Sequence, residues 1–181
     1  MDQGGSDKRN HIAAQSEVAI DADLVITPLR ATNYTEAISA LAERLSQHGY
    51  VTDGFLEAVL KREASQPTGL PLPDIPVAIP HAEAEYCKVP AIAVGILDQP
   101  VRFGEMGGDS GSTLPVQIVF LLALNNPDLQ VEWLQRLVIL FQQPGLLQNL
   151  RKMSQEEAIV AFLRKYLLPK KPKEEQESGD K

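Results

Sequence analysis

The segment from Pro115 to Leu124 constrains the fold more than any other part of this sequence. It contains seven consecutive apolar residues, Ile118 to Leu124, and an apolar run of this length is typical of a buried β-strand. The proline stands at the first position, where a strand tolerates a residue without a backbone N–H. Because a membrane-spanning helix needs about 20 apolar residues, the run is too short to cross a bilayer. It predicts the central strand of a sheet.

Helical and strand patterns alternate around this segment. The sequence predicts helices at 35–48 and from 52 or 53 to 64, strands at 77–80, 91–97 and 101–103, and helices at 129–142, 145–152 and from 154 onward. The strand 91–97 lacks alternation, which predicts burial on both faces, whereas 101–103 is predicted as a short edge strand. Interleaved strands and helices indicate a single α/β domain with a largely parallel or mixed sheet, and we expect a central mixed β-sheet flanked by helices.

Capping and turn residues set the expected ends of these elements. Thr35 is the expected N-cap of the first helix, and Gly49 is its expected stop. Ser154 is followed three residues later by Glu157, which is the spacing of a capping box. The glycine-rich stretch 104–113 lacks the Lys-Ser/Thr of a P-loop and leads into a strand, so it is predicted as a turn and not as a phosphate-binding loop.

The two ends of the chain differ in composition from the body. Residues 1–20 are small and polar, and residues 169–181 are rich in proline and charge, so both are expected to be disordered tails around a domain at 21–168. The N-terminus has no apolar segment of a secretory signal. Cys87 is the single cysteine, which excludes an intrachain disulfide and agrees with an expected cytoplasmic location.

The net charge of -7 narrows the classes of partner. An acidic body argues against nucleic-acid binding, which requires clustered Lys and Arg. It favours a basic protein partner, which electrostatic attraction would steer onto the surface. The alternative is that the charge serves only to keep the protein in solution.

Three histidines are candidates for chemistry. His11 lies in the predicted N-terminal tail, and His48 lies at a helix end, where a cation interacts favourably with the helix dipole. His81 follows an apolar strand directly after Pro80. This places an imidazole at the C-terminal end of a strand, which is the usual position of active sites in α/β sheets. From these residues alone, a functional and a structural role for His81 remain equally open.

Two further patterns near His81 admit a chemical interpretation. His81, Glu83 and Glu85 alternate, so an extended segment would place them on one face, as in a metal site. A solvated acidic edge is the simpler interpretation, since no second histidine lies nearby in the sequence. Cys87 is predicted to be a buried or half-buried filler.

Several motifs, taken in chain order, resemble a known family. They are Arg62-Glu63, Thr68-Gly69, Ala78-Ile79-Pro80-His81, the apolar strand and the leucine-spaced helix after it. Together, over about Thr35 to Leu167, they are similar to the type-2 IIA domains of the bacterial phosphotransferase system. The strings REASQPTG, IPHAEA, NNPDLQ and QQP look most like the galactitol-specific branch.

The resemblance implies a role for each matching residue. It implies that His81 accepts a phosphoryl group from phospho-HPr and passes it to a IIB component, which in turn serves a membrane IIC component. It also implies that Arg62 stabilises the phosphate and that Thr68 neighbours it through a hydroxyl or an N–H. No metal or other cofactor is implied.

One position departs from the mannitol and fructose members of the family. Those proteins carry a second histidine at the start of the helix after the long strand. Here that position is Gln130, or Trp133 if the match is shifted by one turn. An amide can donate a hydrogen bond to a phosphoryl oxygen, and this is the role predicted for Gln130.

Three alternatives stand beside the phosphocarrier interpretation. A regulatory IIA protein would be phosphorylated at His81 and would bind target proteins as a signal. A binding module would have lost phosphotransfer altogether. A metal-dependent enzyme would use His81, Glu83 and Glu85 and would contain stoichiometric metal.

Overall fold

The computed structural model describes residues 18–169 and contains one mixed sheet of five strands. The strands are β1 (Val25–Leu29), β2 (Gly69–Leu70), β3 (Val77–Ala78), β4 (Ala91–Gly104) and β5 (Thr113–Ala123). Their spatial order is β1-β4-β5-β3-β2. Strands β1 and β3 run parallel to β4 and β5 respectively, whereas β4 is antiparallel to β5 and β2 is antiparallel to β3. The predicted central strand is therefore the middle strand of the sheet.

Helices cover both faces of this sheet. They are α1 (Tyr34–Gln47), α2 (Phe55–Ser65), α3 (Pro127–Phe141), α4 (Leu146–Arg151) and α5 (Glu156–Leu167), with single 3-10 turns at Ala22–Leu24 and Ala84–Tyr86. The apolar residues of α1 and α2 pack on one face of the sheet. Those of α3, α4 and α5 pack on the other. The predicted α/β class and the flanked mixed sheet are confirmed.

The side chains of β5 explain why its sequence does not alternate. Ile118, Phe120 and Leu122 belong to the cluster with α3, α4 and α5. Val119 and Leu121 belong to the cluster with α1 and α2. Because successive side chains of a strand point to opposite faces and both faces carry helices, each position has to be apolar.

Strand β4 is longer than predicted. The predicted strands 91–97 and 101–103 are parts of one strand, and the second part pairs with β5 through Val101 to Val116 and Phe103 to Leu114. The prediction of a separate strand at 101–103 is therefore wrong, whereas its edge position agrees with the pairing, because β1 pairs with β4 only as far as Leu97. The pairing shifts between Ile96 and Val101, and residues 98–100 are exposed. A bulge at this point accommodates Pro100, which has no N–H to give to a regular ladder.

Two predicted helix starts are also wrong. The N-cap of α1 is Asn33, not Thr35, and its side chain accepts a hydrogen bond of 2.9 Å from the backbone N–H of Glu36. The N-cap of α5 is Gln155, which makes no side-chain cap bond, so the predicted capping box at Ser154 does not form. In both cases more than one polar residue precedes the helix, and the sequence alone does not decide between them.

The ordered part of the chain begins earlier than predicted. Val18 and Ile20 are 5% and 2% exposed, and Ala19 forms a bridge with Ala91 of β4. The guanidinium of Arg164 in α5 donates to the carbonyl of Ile20 at 2.9 Å. Residues 18–20 therefore belong to the fold and not to a tail. The rest of the predicted N-terminal tail, with His11, and residues 170–181 lie outside the described residues.

None of the helices within residues 18–169 has the length and hydrophobicity needed to span a bilayer.

Candidate active site

The backbone of the sheet carries His81 at the end of β3. The carbonyl of Pro80 accepts a hydrogen bond of 3.0 Å from the N–H of Leu122, and His81 forms a parallel bridge with the same residue of β5. Since proline lacks an N–H, regular pairing ends at this point. His81 is half-buried at the C-terminal end of the strand, as the sequence predicts.

One hydrogen bond determines which ring nitrogen of His81 is reactive. The Nδ1 atom lies 2.8 Å from the carbonyl oxygen of Ile79. A carbonyl oxygen can only accept, so Nδ1 has to carry the proton in this arrangement. In the neutral ring the lone pair is then on Nε2, and this nitrogen is the available nucleophile.

The surroundings of His81 favour its neutral form. Burial is the largest effect and lowers the pKa of His81 below its ordinary value of 6.5, and the nearby positive charge of Arg62 lowers it further. The hydrogen bond to Ile79 and the negative charge of Glu83 act in the opposite direction without reversing the shift. The imidazole is therefore neutral, and able to act as a nucleophile, at neutral pH.

Arg62 places a positive charge beside His81 from the last turn of α2. Its Nη1 atom donates to Oε1 of Glu83 at 3.1 Å, and the two side chains are 31% and 53% exposed. An ion pair at this exposure contributes about 0–1 kcal/mol. A doubly charged anion can therefore displace Glu83 from the guanidinium at little cost.

The Nε atom of Arg62 gives a second indication of anion binding. It is buried, and among residues 18–169 it has no hydrogen-bond partner. Leaving a buried donor unpaired costs about 1–3 kcal/mol. Because a guanidinium carries five N–H donors in a fixed fork and Glu83 occupies one of them, Arg62 retains donors for an anion held at His81.

Thr68 has contacts different from those predicted. Its N–H donates to Oε1 of Glu63 at 2.9 Å, and its hydroxyl donates to Oε2 of the same carboxylate at 2.9 Å. Thr68 is 2% exposed. Both of its donors are therefore used inside the protein, and the predicted contact between Thr68 and a phosphate is not available.

Gly69 allows Thr68 to occupy this position. A side chain at Gly69 would place a Cβ atom 2.5 Å from the carbonyl oxygen of Gly104, a distance that real Cβ atoms essentially never show. The N–H of Met106 donates to the carbonyl of Gly69 at 2.8 Å. The Thr-Gly motif thus lets strand β2 approach the end of β4 closely.

Gln130 lies beside the segment that carries His81. Its side-chain nitrogen donates to the carbonyl of Ala82 at 2.9 Å and approaches the carbonyl of Leu124 at 3.5 Å. Trp133 is 1% exposed within the core. Gln130 and Trp133 are the two candidates for the position at which the mannitol and fructose members carry a second histidine. Of these two residues, Gln130 is the one that lies next to the site. Its observed partners are backbone carbonyls, so its contact with a phosphoryl group remains a prediction.

The other candidate residues have structural surroundings. His48 follows α1 as its C-cap and stacks on Tyr50 with a ring separation of 5.3 Å. Cys87 is 8% exposed, and burial raises the pKa of its thiol to about 11, so the predicted filler role is confirmed. Within the described part of the chain, no group of three or more His, Cys, Asp or Glu residues could hold a metal ion.

Two residues of the site receive no role from sequence reasoning. The sequence suggests Glu83 only as a possible metal ligand, whereas in the structure it pairs with Arg62. Glu63 appears only as a part of the Arg-Glu motif, yet it is 4% exposed and holds Thr68. A signal for Glu63 was available, because it continues the buried stripe of Phe55 and Val59 at intervals of four residues, and a carboxylate on such a stripe needs a buried partner.

Comparison with known proteins agrees with this fold and identifies the family. Residues 19–166 match the family model of the phosphoenolpyruvate-dependent sugar phosphotransferase system, EIIA 2. The chain therefore belongs to this family. Over 134 residues it is 30% identical to the galactitol-specific EIIA component of the phosphotransferase system of Escherichia coli strain K12, which covers 74% of this chain and 87% of that protein.

Two further relatives show the range of the family. The transcriptional regulator ManR of Bacillus subtilis strain 168 is 30% identical over 142 residues, which are 77% of this chain and 20% of ManR. The mannitol IIA enzyme of Escherichia coli, solved in complex with phosphorylated mannitol IIB, has a similar fold with a TM-score of 0.67. The two sequences are 22% identical over this match, which covers 82% of this chain and 99% of the solved chain.

Proposed function

We propose that this chain is the phosphocarrier IIA component of a sugar or polyol phosphotransferase system. In this proposal Nε2 of His81 accepts a phosphoryl group from phospho-HPr and passes it to a IIB component. The observation that carries the proposal is the 2.8 Å contact between Nδ1 of His81 and the Ile79 carbonyl, because it leaves the Nε2 lone pair free beside the guanidinium of Arg62. Membership of the family supports the general phosphotransfer role.

The transfer step follows from this geometry. The lone pair of Nε2 attacks phosphorus and forms an N–P bond, while the bond from phosphorus to the donor's nitrogen breaks and its electron pair stays on the donor. Phosphoryl transfer requires in-line positioning and neutralisation of the equatorial oxygens. In this proposal the bond to Ile79 supplies the positioning and Arg62 supplies the neutralising charge.

The hydrogen bond to Ile79 also stabilises the product. As the N–P bond forms at Nε2, the ring becomes cationic because Nδ1 keeps its proton. A hydrogen bond from a charged donor is stronger than one from a neutral donor. The carbonyl of Ile79 therefore stabilises the phosphorylated ring more than the free ring. It accelerates the transfer to the extent that this positive charge has already developed in the transition state.

Phosphate transfer in a defined mixture tests the proposal. The purified chain is incubated with phosphoenolpyruvate, enzyme I and HPr, and its intact mass is measured. We expect an acid-labile adduct of one phosphoryl group, which fragmentation under basic conditions assigns to the peptide containing His81. Absence of the adduct, with HPr phosphorylated in the same tube, would contradict the proposal for that donor.

We expect the reactivity of His81 to persist into mildly acidic solution. Burial holds its pKa below 6.5, so protonation removes the Nε2 lone pair only at a pH lower than for an exposed histidine. An NMR titration of the His81 ring measures this pKa directly, and the rate of phosphoryl acceptance should decline with the same midpoint. A His81 pKa at or above 6.5 would contradict this expectation.

We propose that the chain belongs to the galactitol branch of the phosphotransferase system. This proposal rests on the 30% identity to the galactitol-specific relative over most of both chains. A direct test is transfer from the phosphorylated chain to purified galactitol-type and mannitol-type IIB proteins. Faster loss of the phosphoryl group to the galactitol-type protein is expected, and preference for the mannitol type would reassign the branch.

A regulatory role is the second candidate. The similarity to ManR favours it, since there a region similar to 77% of this chain is part of a transcriptional regulator. In that case the phosphorylated and unphosphorylated chains would differ in their affinity for a target protein, and transfer to IIB would be slow. Measuring transfer to IIB therefore separates the two candidates.

A further inference from the structure

We propose that Glu63 is a positioning residue for His81 and acts through Thr68 and the Ile79 peptide. The inference deepens the proposed function, since the reaction for which His81 is positioned is its phosphorylation. Glu63 does not touch the reacting atoms. Its effect passes along hydrogen bonds that fix the direction of the Ile79 carbonyl, the group that selects the tautomer of His81.

The contacts form a continuous series, in which the N–H of Ile79 is shared between the hydroxyl oxygen of Thr68 at 3.2 Å and the backbone carbonyl of Thr68 at 3.4 Å. The carboxylate of Glu63 accepts the N–H and the hydroxyl proton of Thr68, at 2.9 Å each. Because the hydroxyl proton points to Glu63, a lone pair of the Thr68 oxygen faces the Ile79 peptide and accepts its N–H at 3.2 Å. The carbonyl of Ile79 then accepts from Nδ1 of His81 at 2.8 Å.

The direction in which these hydrogen bonds are donated depends on the carboxylate of Glu63. Burial raises the pKa of Glu63, and the two hydrogen bonds from Thr68 oppose this shift by stabilising the ionised form. In that form the carboxylate only accepts, so both groups of Thr68 donate to it. With a neutral or missing partner at this position, the Thr68 hydroxyl could rotate and donate elsewhere. Its lone pair would then no longer be held towards the N–H of Ile79, which would keep only its 3.4 Å bond to the carbonyl of Thr68. The backbone of Ile79, on which the direction of its carbonyl depends, would lose one of its restraints.

The burial of Glu63 indicates a function other than stability. The side chain is 4% exposed, and buried charges are often neutral or unfavourable for stability when compared with apolar replacements. The partners of its carboxylate among residues 18–169 are the two donors of Thr68. Any effect of the carboxylate on the site therefore passes through Thr68 to the N–H of Ile79, the residue whose carbonyl holds the His81 ring.

The tautomer of His81 is the quantity to measure. Nitrogen-15 NMR of the unphosphorylated protein distinguishes a proton on Nδ1 from a proton on Nε2, and it requires no phosphoryl donor. The variants are Glu63→Gln and Thr68→Val, with Thr68→Ser as the conservative replacement that keeps the hydroxyl. Glu105→Gln is the matched control, because Oε2 of Glu105 also accepts from a hydroxyl, that of Ser112 at 2.6 Å, outside this chain of contacts.

We expect the wild type and Glu105→Gln to carry the proton on Nδ1. In Glu63→Gln and Thr68→Val the Nε2-protonated form should appear, and phosphoryl acceptance should slow by roughly 10- to 100-fold, as for other residues that orient a reacting group. Thr68→Ser keeps the hydroxyl, so its tautomer and its rate of phosphoryl acceptance should stay close to the wild-type values.

Two results would overturn the inference. The first is a wild-type His81 with its proton on Nε2, which decides the matter even where a variant fails to fold. The second is a folded Glu63→Gln or Thr68→Val protein that keeps the wild-type tautomer and rate and changes only its melting temperature, which would make the network purely structural. If phospho-HPr proves not to be the donor, the proposed function fails for that donor while the tautomer measurement still tests the positioning role.

Discussion

Replacing His81 with glutamine is expected to abolish phosphoryl acceptance. Glutamine has a similar size and can still donate from its side chain to the Ile79 carbonyl, but an amide nitrogen has no nucleophilic lone pair. In the proposed mechanism the N–P bond forms at Nε2. The other histidine among residues 18–169, His48, stacks on Tyr50 at the end of α1, so no second acceptor within these residues is expected to replace the lost one. Intact-mass measurement after incubation with phosphoenolpyruvate, enzyme I and HPr checks this expectation.

His48→Gln is the matched control for this variant. It removes an imidazole from a helix end without touching the His81 segment, so it should accept a phosphoryl group at the wild-type rate. An adduct that persists in folded His81→Gln and disappears in His48→Gln would assign the phosphoryl group to His48 and would remove the basis of the proposed mechanism.

Replacing Arg62 with methionine is expected to slow phosphoryl acceptance by about 100-fold. Removing one preorganised group that stabilises charge in a transition state typically costs a factor of about 100 to 1,000. The lower end applies because Arg62 is partly exposed, with 31% of its side chain in contact with solvent. Arg62→Lys should retain part of the rate, since it keeps the charge and loses the planar fork. Rapid-quench measurement of the transfer from phospho-HPr gives these rates.

Arg44→Met is the control for the loss of an arginine. Arg44 lies in the last turn of α1, as Arg62 lies in the last turn of α2, and its guanidinium donates to the carbonyl of Asp23 at 2.9 Å. This variant should transfer normally. Equal rates for folded Arg62→Met and wild type would show that Arg62 only caps its helix and pairs with Glu83.

The sequence predicts most of the fold because its strongest patterns are set by burial. The apolar run of β5 has helices on both faces, so its lack of alternation is a direct consequence of the layer structure. The position of His81 was predictable for a similar reason, since Pro80 ends a short apolar strand. Boundaries set by one hydrogen bond were less predictable, as with Asn33, which caps α1 in place of Thr35.

The contacts of the site depend on distant pairings that a single sequence does not display. Thr68 and Ile79 are eleven residues apart, and their contact follows from the antiparallel pairing of β2 with β3. Without that pairing, Thr68 looks like an exposed hydroxyl available to a phosphate. The same pairing turns it inward, onto Glu63, and so makes it part of the support of His81.

The bridge between Ala19 and Ala91 bears on how such a domain can be tethered. Ala91 pairs with Ala123 of β5, and the adjacent residue Leu122 pairs with His81. The N-terminal end of the fold therefore leaves the sheet at the edge that holds His81, about 15 Å away at three strand spacings. A partner domain joined there by a short flexible linker would be held at an effective concentration in the millimolar range. In a protein with such a linker, transfer between the two domains would be favoured over diffusional encounter.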